Sequence, residues 1–184
     1  MKDPAVSHSL TGKYVLYTAI AVFTSFFFHE LAHWAMGEAL GYKMGMTLNT
    51  AFALNGVNTE REATLIDAAG PIFTILQAFV FYLVLLNKKD ILYYPFLFTP
   101  LYQRVLAGVM NIFNLNDEGH ISRYLGIGTF TLSILVCSLI GVMIYHIYSK
   151  QLFSKRIQLI TFFLVMVFSS ILILSNQFFN IRLI

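Results

Sequence analysis

Residues 14–40 read YVLYTAIAVFTSFFFHELAHWAMGEAL, an apolar run of membrane-helix length whose far end carries His29-Glu30-Leu31-Ala32-His33. On a helix, residues i and i+4 share a face, so His29 and His33 can offer two imidazole nitrogens to one metal ion while Glu30 points at the adjacent open position. Two histidines one turn apart could instead hydrogen-bond inside a bundle. Charged residues in a membrane span, however, cost about 2.5–3.5 kcal/mol each on insertion scales, so three ionisable groups placed together argue for a function. The motif is that of a membrane-embedded zinc hydrolase, with His29 and His33 as metal ligands and Glu30 as the catalytic base.

Composition agrees with that setting. Of 184 residues, 58% are hydrophobic and 11% charged, against roughly 45–50% apolar and 25% charged in soluble domains. The apolar stretches are helix-length and lack sustained two-residue alternation, which favours a helical bundle over a membrane barrel. Lys2 and Lys13 before the first run resemble the start of a signal peptide, but no small-residue cleavage pattern follows, so the run is expected to remain as a helix. Cys137, the only cysteine, excludes an intrachain disulfide and lies in an apolar run that suits packing. The net charge of +3 is spread over loops, and no nucleic-acid role is indicated.

Working outward, five spans can be drawn: Tyr14 to Leu40, Ala63 to Leu86, Ile91 to Phe113, Thr129 to Tyr148 and Ile157 to Ser175. The expected fold is an all-α polytopic membrane protein forming one membrane-embedded domain over 1–184, with a three-helix catalytic core at 14–120 and two additional helices at 129–175. The third span is irregular, because Pro95 and Pro100 interrupt it and Gln103 with Arg104 would lie at membrane depth; its helical part is expected near Thr99. Between the first two spans, Met46-Thr47-Leu48 and Phe52-Ala53-Leu54 followed by Asn55-Gly56 predict a short β-hairpin. Trp34, Tyr93, Tyr94 and Tyr148 fit interfacial anchors.

A zinc site needs about three protein ligands and an open position. The third must lie at the depth of the histidines, and the candidate is Asp117 within Asn114-Leu115-Asn116-Asp117-Glu118-Gly119-His120. Topology supports it: the second span returns, the third runs in the first span's direction, and Asp117 emerges on the side of the His pair. Asp67-Ala68-Ala69-Gly70-Pro71, at the start of span two, arrives there too. Arg104 lies 13 residues before Asp117, or roughly 20 Å along an unbroken helix, which predicts snorkelling or an ion pair rather than a place at the metal.

In these motifs the chain resembles the site-2 proteases, intramembrane zinc metalloproteases. The resemblance rests on His29-Glu30-Leu31-Ala32-His33, on Ala69-Gly70-Pro71, and on Asn111 or Asn114 followed by Asp117 and Gly119, and it covers roughly Tyr14 to His120. It implies zinc held by His29, His33 and Asp117, Glu30 as general base, and Asn111 or Asn114 holding substrate or polarising its carbonyl. Two features depart from the family pattern: no proline separates the Asn from the Asp, and Glu118 stands where a Gly is usual, so Glu118 or His120 remains an alternative third ligand. Orientation stays open. Lys2, Lys13, Lys88, Lys89, Lys150, Lys155 and Arg156 favour a cytoplasmic N-terminus, whereas the family's cytosol-facing zinc implies the reverse.

The function expected is hydrolysis of a peptide bond in or near a transmembrane segment of a membrane-tethered protein or peptide, in a lipid bilayer such as the cell membrane. Two alternatives compete: a membrane zinc protease with a different third ligand and a cytosol-facing site, and a non-proteolytic metal-binding scaffold.

Overall fold

The computed structural model describes residues 12–150, 152–179 and 182–184; Lys2, counted in the charge balance above, lies outside them. The elements are α1 (Gly12–Ala39), a hairpin of β1 (Met44–Met46) and β2 (Ala51–Ala53), α2 (Glu60–Lys88), a 3-10 turn (Ile91–Tyr93) running into α3 (Tyr94–Met110), α4 (Asp117–Tyr124), α5 (Thr131–Ser149) and α6 (Lys155–Phe179). Four of these, α1, α2, α5 and α6, are long and apolar enough to cross a membrane. Leu16, Phe23, Ile72, Leu135 and Phe163 are exposed on these helices, as lipid-facing side chains would be.

The third expected span is shorter than drawn. With 17 residues, α3 is about 26 Å long, less than the roughly 30 Å hydrocarbon core. It begins at Tyr94 rather than near Thr99, because Pro95 falls in the first turn, where its missing N–H has no helical partner to serve. Pro100 lies inside the helix and leaves the Phe96 carbonyl without its i+4 donor. Gln77 of α2 replaces that donor, its Nε2 reaching Phe96 O at 3.1 Å and Ser25 Oγ of α1 at 2.5 Å. One amide thus ties three helices together at the proline.

After Met110 the chain turns through 111–116 and enters α4, whose N-cap is Asn116, with Oδ1 accepting the Gly119 N–H at 3.2 Å. Asn111 anchors the turn: its Oδ1 accepts the Asn116 N–H at 2.8 Å and its Nδ2 donates to Ser133 Oγ of α5 at 3.1 Å. This turn overturns the 20 Å separation expected between Arg104 and Asp117, which held only for a continuous helix.

A hairpin forms between the first two long helices as expected, antiparallel with Gly45 opposite Phe52, but its strands are shifted toward the N-terminus so that Thr47 and Leu48 fall in the connecting turn 47–50, closed by Thr47 N–H to Thr50 O at 2.8 Å. Asn55-Gly56 makes the exit turn instead, with Gly56 at φ +76° and its N–H on Ala53 O at 3.3 Å. The other edge of β1 pairs with the chain's last residues: Leu183 N–H reaches Met46 O at 2.8 Å, and Met46 N–H reaches Ile184 O at 3.2 Å. From α6, Asn176 bonds the Leu48 N–H, Thr47 Oγ1 and Asn49 Oδ1, fastening the hairpin to the bundle.

Packing separates a dry end from a polar end. Leu85, Tyr94, Leu97, Ile140 and Ile147 form an apolar cluster joining α2, α3 and α5. Tyr94 is 1% exposed within it, packed against Phe98 and Phe153, so it is a core residue rather than the interfacial anchor expected. Val22 and Phe26 of α1 meet Val165 and Leu172 of α6, and Tyr14 shares a 2.5 Å hydrogen bond with Thr161. The polar end, where α1, α2 and α4 meet, holds the site.

Candidate metal centre

His29 and His33 are buried on the face of α1 turned toward α2. Gly70 permits that approach: a Cβ there would come within 2.7 Å of His29 Nε2 and collide with the His33 ring. The Gly70-Pro71 pair lies inside α2, ten residues after its start at Glu60, rather than opening the helix as expected. The capping box of Thr59 and Glu62 begins α2 earlier, with Glu62 N–H on Thr59 Oγ1 at 3.2 Å.

The hydrogen bonds behind the two rings decide where their protons sit. Thr74 gives its hydroxyl proton to the Gly70 carbonyl at 3.0 Å, leaving its oxygen to accept from His29 Nδ1 at 3.0 Å. His33 Nδ1 lies 2.7 Å from the Ile66 carbonyl, which can only accept. Both Nδ1 atoms are therefore N–H donors, and each neutral imidazole presents a lone pair on Nε2. Those two nitrogens are 3.1 Å apart.

Asp117, the first residue of α4, completes a triangle. Its Oδ2 lies 3.2 Å from His29 Nε2 and 3.5 Å from His33 Nε2. Three electron-rich atoms thus converge without a proton of their own to share. A proton added to one nitrogen would satisfy one edge of the triangle and leave repulsion on another; a cation at the centre satisfies all three. His29, His33 and Asp117 form a triad able to hold a metal ion.

Glu30 is 8% exposed and lines the same cavity of about 330 Å³, next to Ala51 at the start of β2. The hairpin thereby comes up to the carboxylate beside the triad. The alternative ligands point elsewhere: Glu118 Oε1 accepts from Arg104 Nη1 at 2.9 Å, and His120 Nδ1 lies 3.1 Å from Asp67 Oδ2. Asn111 is buried with both amide atoms engaged in the turn, Asn114 is exposed, and neither lines the cavity, whereas Asn49 and Asn116 do.

Arg104 is the residue that sequence reasoning kept out of the site. It is 4% exposed on α3, yet Nη1 donates to Asp117 Oδ2 at 3.3 Å and Nη2 reaches His29 Nε2 at 3.3 Å. The expected ion pair is present; the expected distance from the metal ligands is not. A charged residue in the middle of an apolar run was the available signal, since such a group is seldom buried without a partner. No family model, curated protein or solved structure matches the chain.

Proposed function

We propose that this protein is an intramembrane zinc metalloprotease, with His29, His33 and Asp117 as ligands and Glu30 as general base. The observation that carries the reading is the triangle of 3.1, 3.2 and 3.5 Å between lone-pair atoms whose protons are turned away. A tetrahedral ion bound at about 2.0–2.1 Å has ligand-to-ligand edges of roughly 3.3–3.4 Å, and two imidazoles with one carboxylate form a donor set used by catalytic zinc. The Nδ1 bonds to Thr74 and Ile66 hold each ring in the ligating tautomer.

Zinc bound there would supply a Lewis acid and a water whose pKa falls to about 7. Glu30 takes the proton as the water oxygen adds to the scissile carbonyl carbon, then delivers it to the amide nitrogen as the C–N bond breaks. A helical substrate hides its backbone and must unwind before that bond can be reached. Strand addition along β2 would hold the unwound segment beside Glu30, since β1 already pairs with 182–184 on its other side. The substrates proposed are membrane-tethered proteins or peptides, met within the lipid bilayer.

The test is zinc content together with cleavage of membrane-tethered peptides by the purified protein in lipid. Wild type should hold about one zinc and cleave; Glu30→Gln should keep the metal and lose activity; Asp117→Ala should lose both. A wild-type protein that binds no zinc ends the proposal.

A further inference from the structure

We infer that Arg104 is a substrate-binding catalytic residue of this site, donating from its guanidinium to the scissile carbonyl oxygen as negative charge develops there. The inference rests on the zinc-protease reading above and adds to it a residue on a different helix from the motif.

The argument is a count of donors. A guanidinium carries five N–H groups in a fixed planar fork and no acceptor. Nη1 serves two carboxylates, Asp117 at 3.3 Å and Glu118 at 2.9 Å. Nη2 reaches only His29 Nε2, at 3.3 Å, and Nε has no partner among the described residues. The lone pair on His29 Nε2 is the one a metal ion would take, because Nδ1 is committed as a donor to Thr74. Once that lone pair is taken, Nη2 is a buried charged donor with nothing to bond. Arg104 lines the cavity shared by Glu30 and the triad. A buried unsatisfied donor is costly, and an oxygen arriving from substrate relieves that cost at the place where charge builds during peptide hydrolysis.

Charge supports the same placement. With Glu30 ionised, the carboxylates of Glu30, Asp117 and Glu118 balance one divalent cation together with one guanidinium. Glu118, 1% exposed, has one carboxylate oxygen on Arg104 and the other without a partner among the described residues. Its evident task is to hold the arginine at this depth, leaving the positive head aimed across the ligands rather than withdrawn toward the membrane surface.

The experiment uses the full chain in lipid nanodiscs loaded with Co²⁺, whose visible absorption reports occupancy and geometry of the site. The probe is a phosphonamidate dipeptide, a tetrahedral anion resembling the addition product. Arg104→Lys keeps a positive charge for Asp117 and Glu118 but withdraws the second arm of the fork. Arg104→Gln combined with Glu118→Gln removes both buried charges and guards against misfolding of the first variant. The expected result is unchanged Co²⁺ affinity and spectrum, probe affinity lowered on the order of 10²-fold, and a kcat for peptide cleavage lowered by about 10²–10³ with KM little changed. Probe binding as tight as wild type, or loss of Co²⁺ in both variants, overturns the inference, the latter showing that Arg104 only holds Asp117. Wild type that binds Co²⁺ but no probe also overturns it and leaves the metal site standing, whereas wild type that binds no Co²⁺ overturns the protease reading beneath it.

Discussion

Helices α1 and α3 both carry ionisable side chains into an apolar interior, and they do so by opposite means. In α1 the chemistry is local: His29 and His33 meet because four residues make about one turn, and the helix around them is unbroken from Gly12 to Ala39. In α3 the chemistry is borrowed. Pro95 and Pro100 shape a short helix, Gln77 repairs it from α2, and Arg104 reaches Asp117 only because the chain reverses after Met110. A motif set by helical period is robust and readable, whereas a contact made across a reversal depends on the turn that creates it.

The largest effect should come from breaking the local side. His33→Ala removes one corner of the triad, and if the proposed centre holds zinc, metal analysis should show it falling from about one per chain to background with cleavage lost. Retention of stoichiometric zinc would mean that the triad is not the site. Gly70→Val should follow, because any Cβ there meets both imidazoles; Co²⁺ affinity should fall by at least about 10²-fold, the upper range for disturbed support of a ligand. Thr74→Val removes the acceptor for His29 Nδ1 together with the hydroxyl's own bond to the Gly70 carbonyl, and titration should show a fall of about 10- to 100-fold. Undiminished affinity would show that the His29 tautomer is set by something other than Thr74.

The smallest effect belongs to α3. Gln77→Leu strands the Phe96 carbonyl and should cost about 1–3 kcal/mol in denaturant-monitored stability. Pro100→Ala restores the helical N–H that Pro100 lacks, so the same Gln77→Leu change made in the Pro100→Ala background should cost less. Equal costs in the two backgrounds would separate Gln77 from the proline break.

How much of this was legible follows from which contacts are local. The four long helices, the hairpin and the Glu30-centred motif each announce themselves within a few residues. Gly70-Pro71 was visible as a close-contact signal, though its depth inside α2 came from the Thr59 cap. The Asn111 and Asn114 readings show the limit. Neighbouring amides look alike in sequence, yet Asn111 serves the turn to α5, Asn114 faces out and Asn116 lines the cavity.

Sequence alone located the four long apolar helices, while overdrawing the proline-broken third span, and determined the pairing of His29 with His33 beside Glu30, because helical period and apolar run length are short-range properties of the chain. Only the tertiary structure decided that Asp117 rather than Glu118 or His120 completes the triangle, and that Arg104 stands against it. Adjacent residues of α4 point in directions about 100° apart. Which one faces the histidines is set by the angle at which the 111–116 turn delivers the helix, and that angle is held by Asn111, which accepts the Asn116 N–H within the turn and donates to Ser133 of α5.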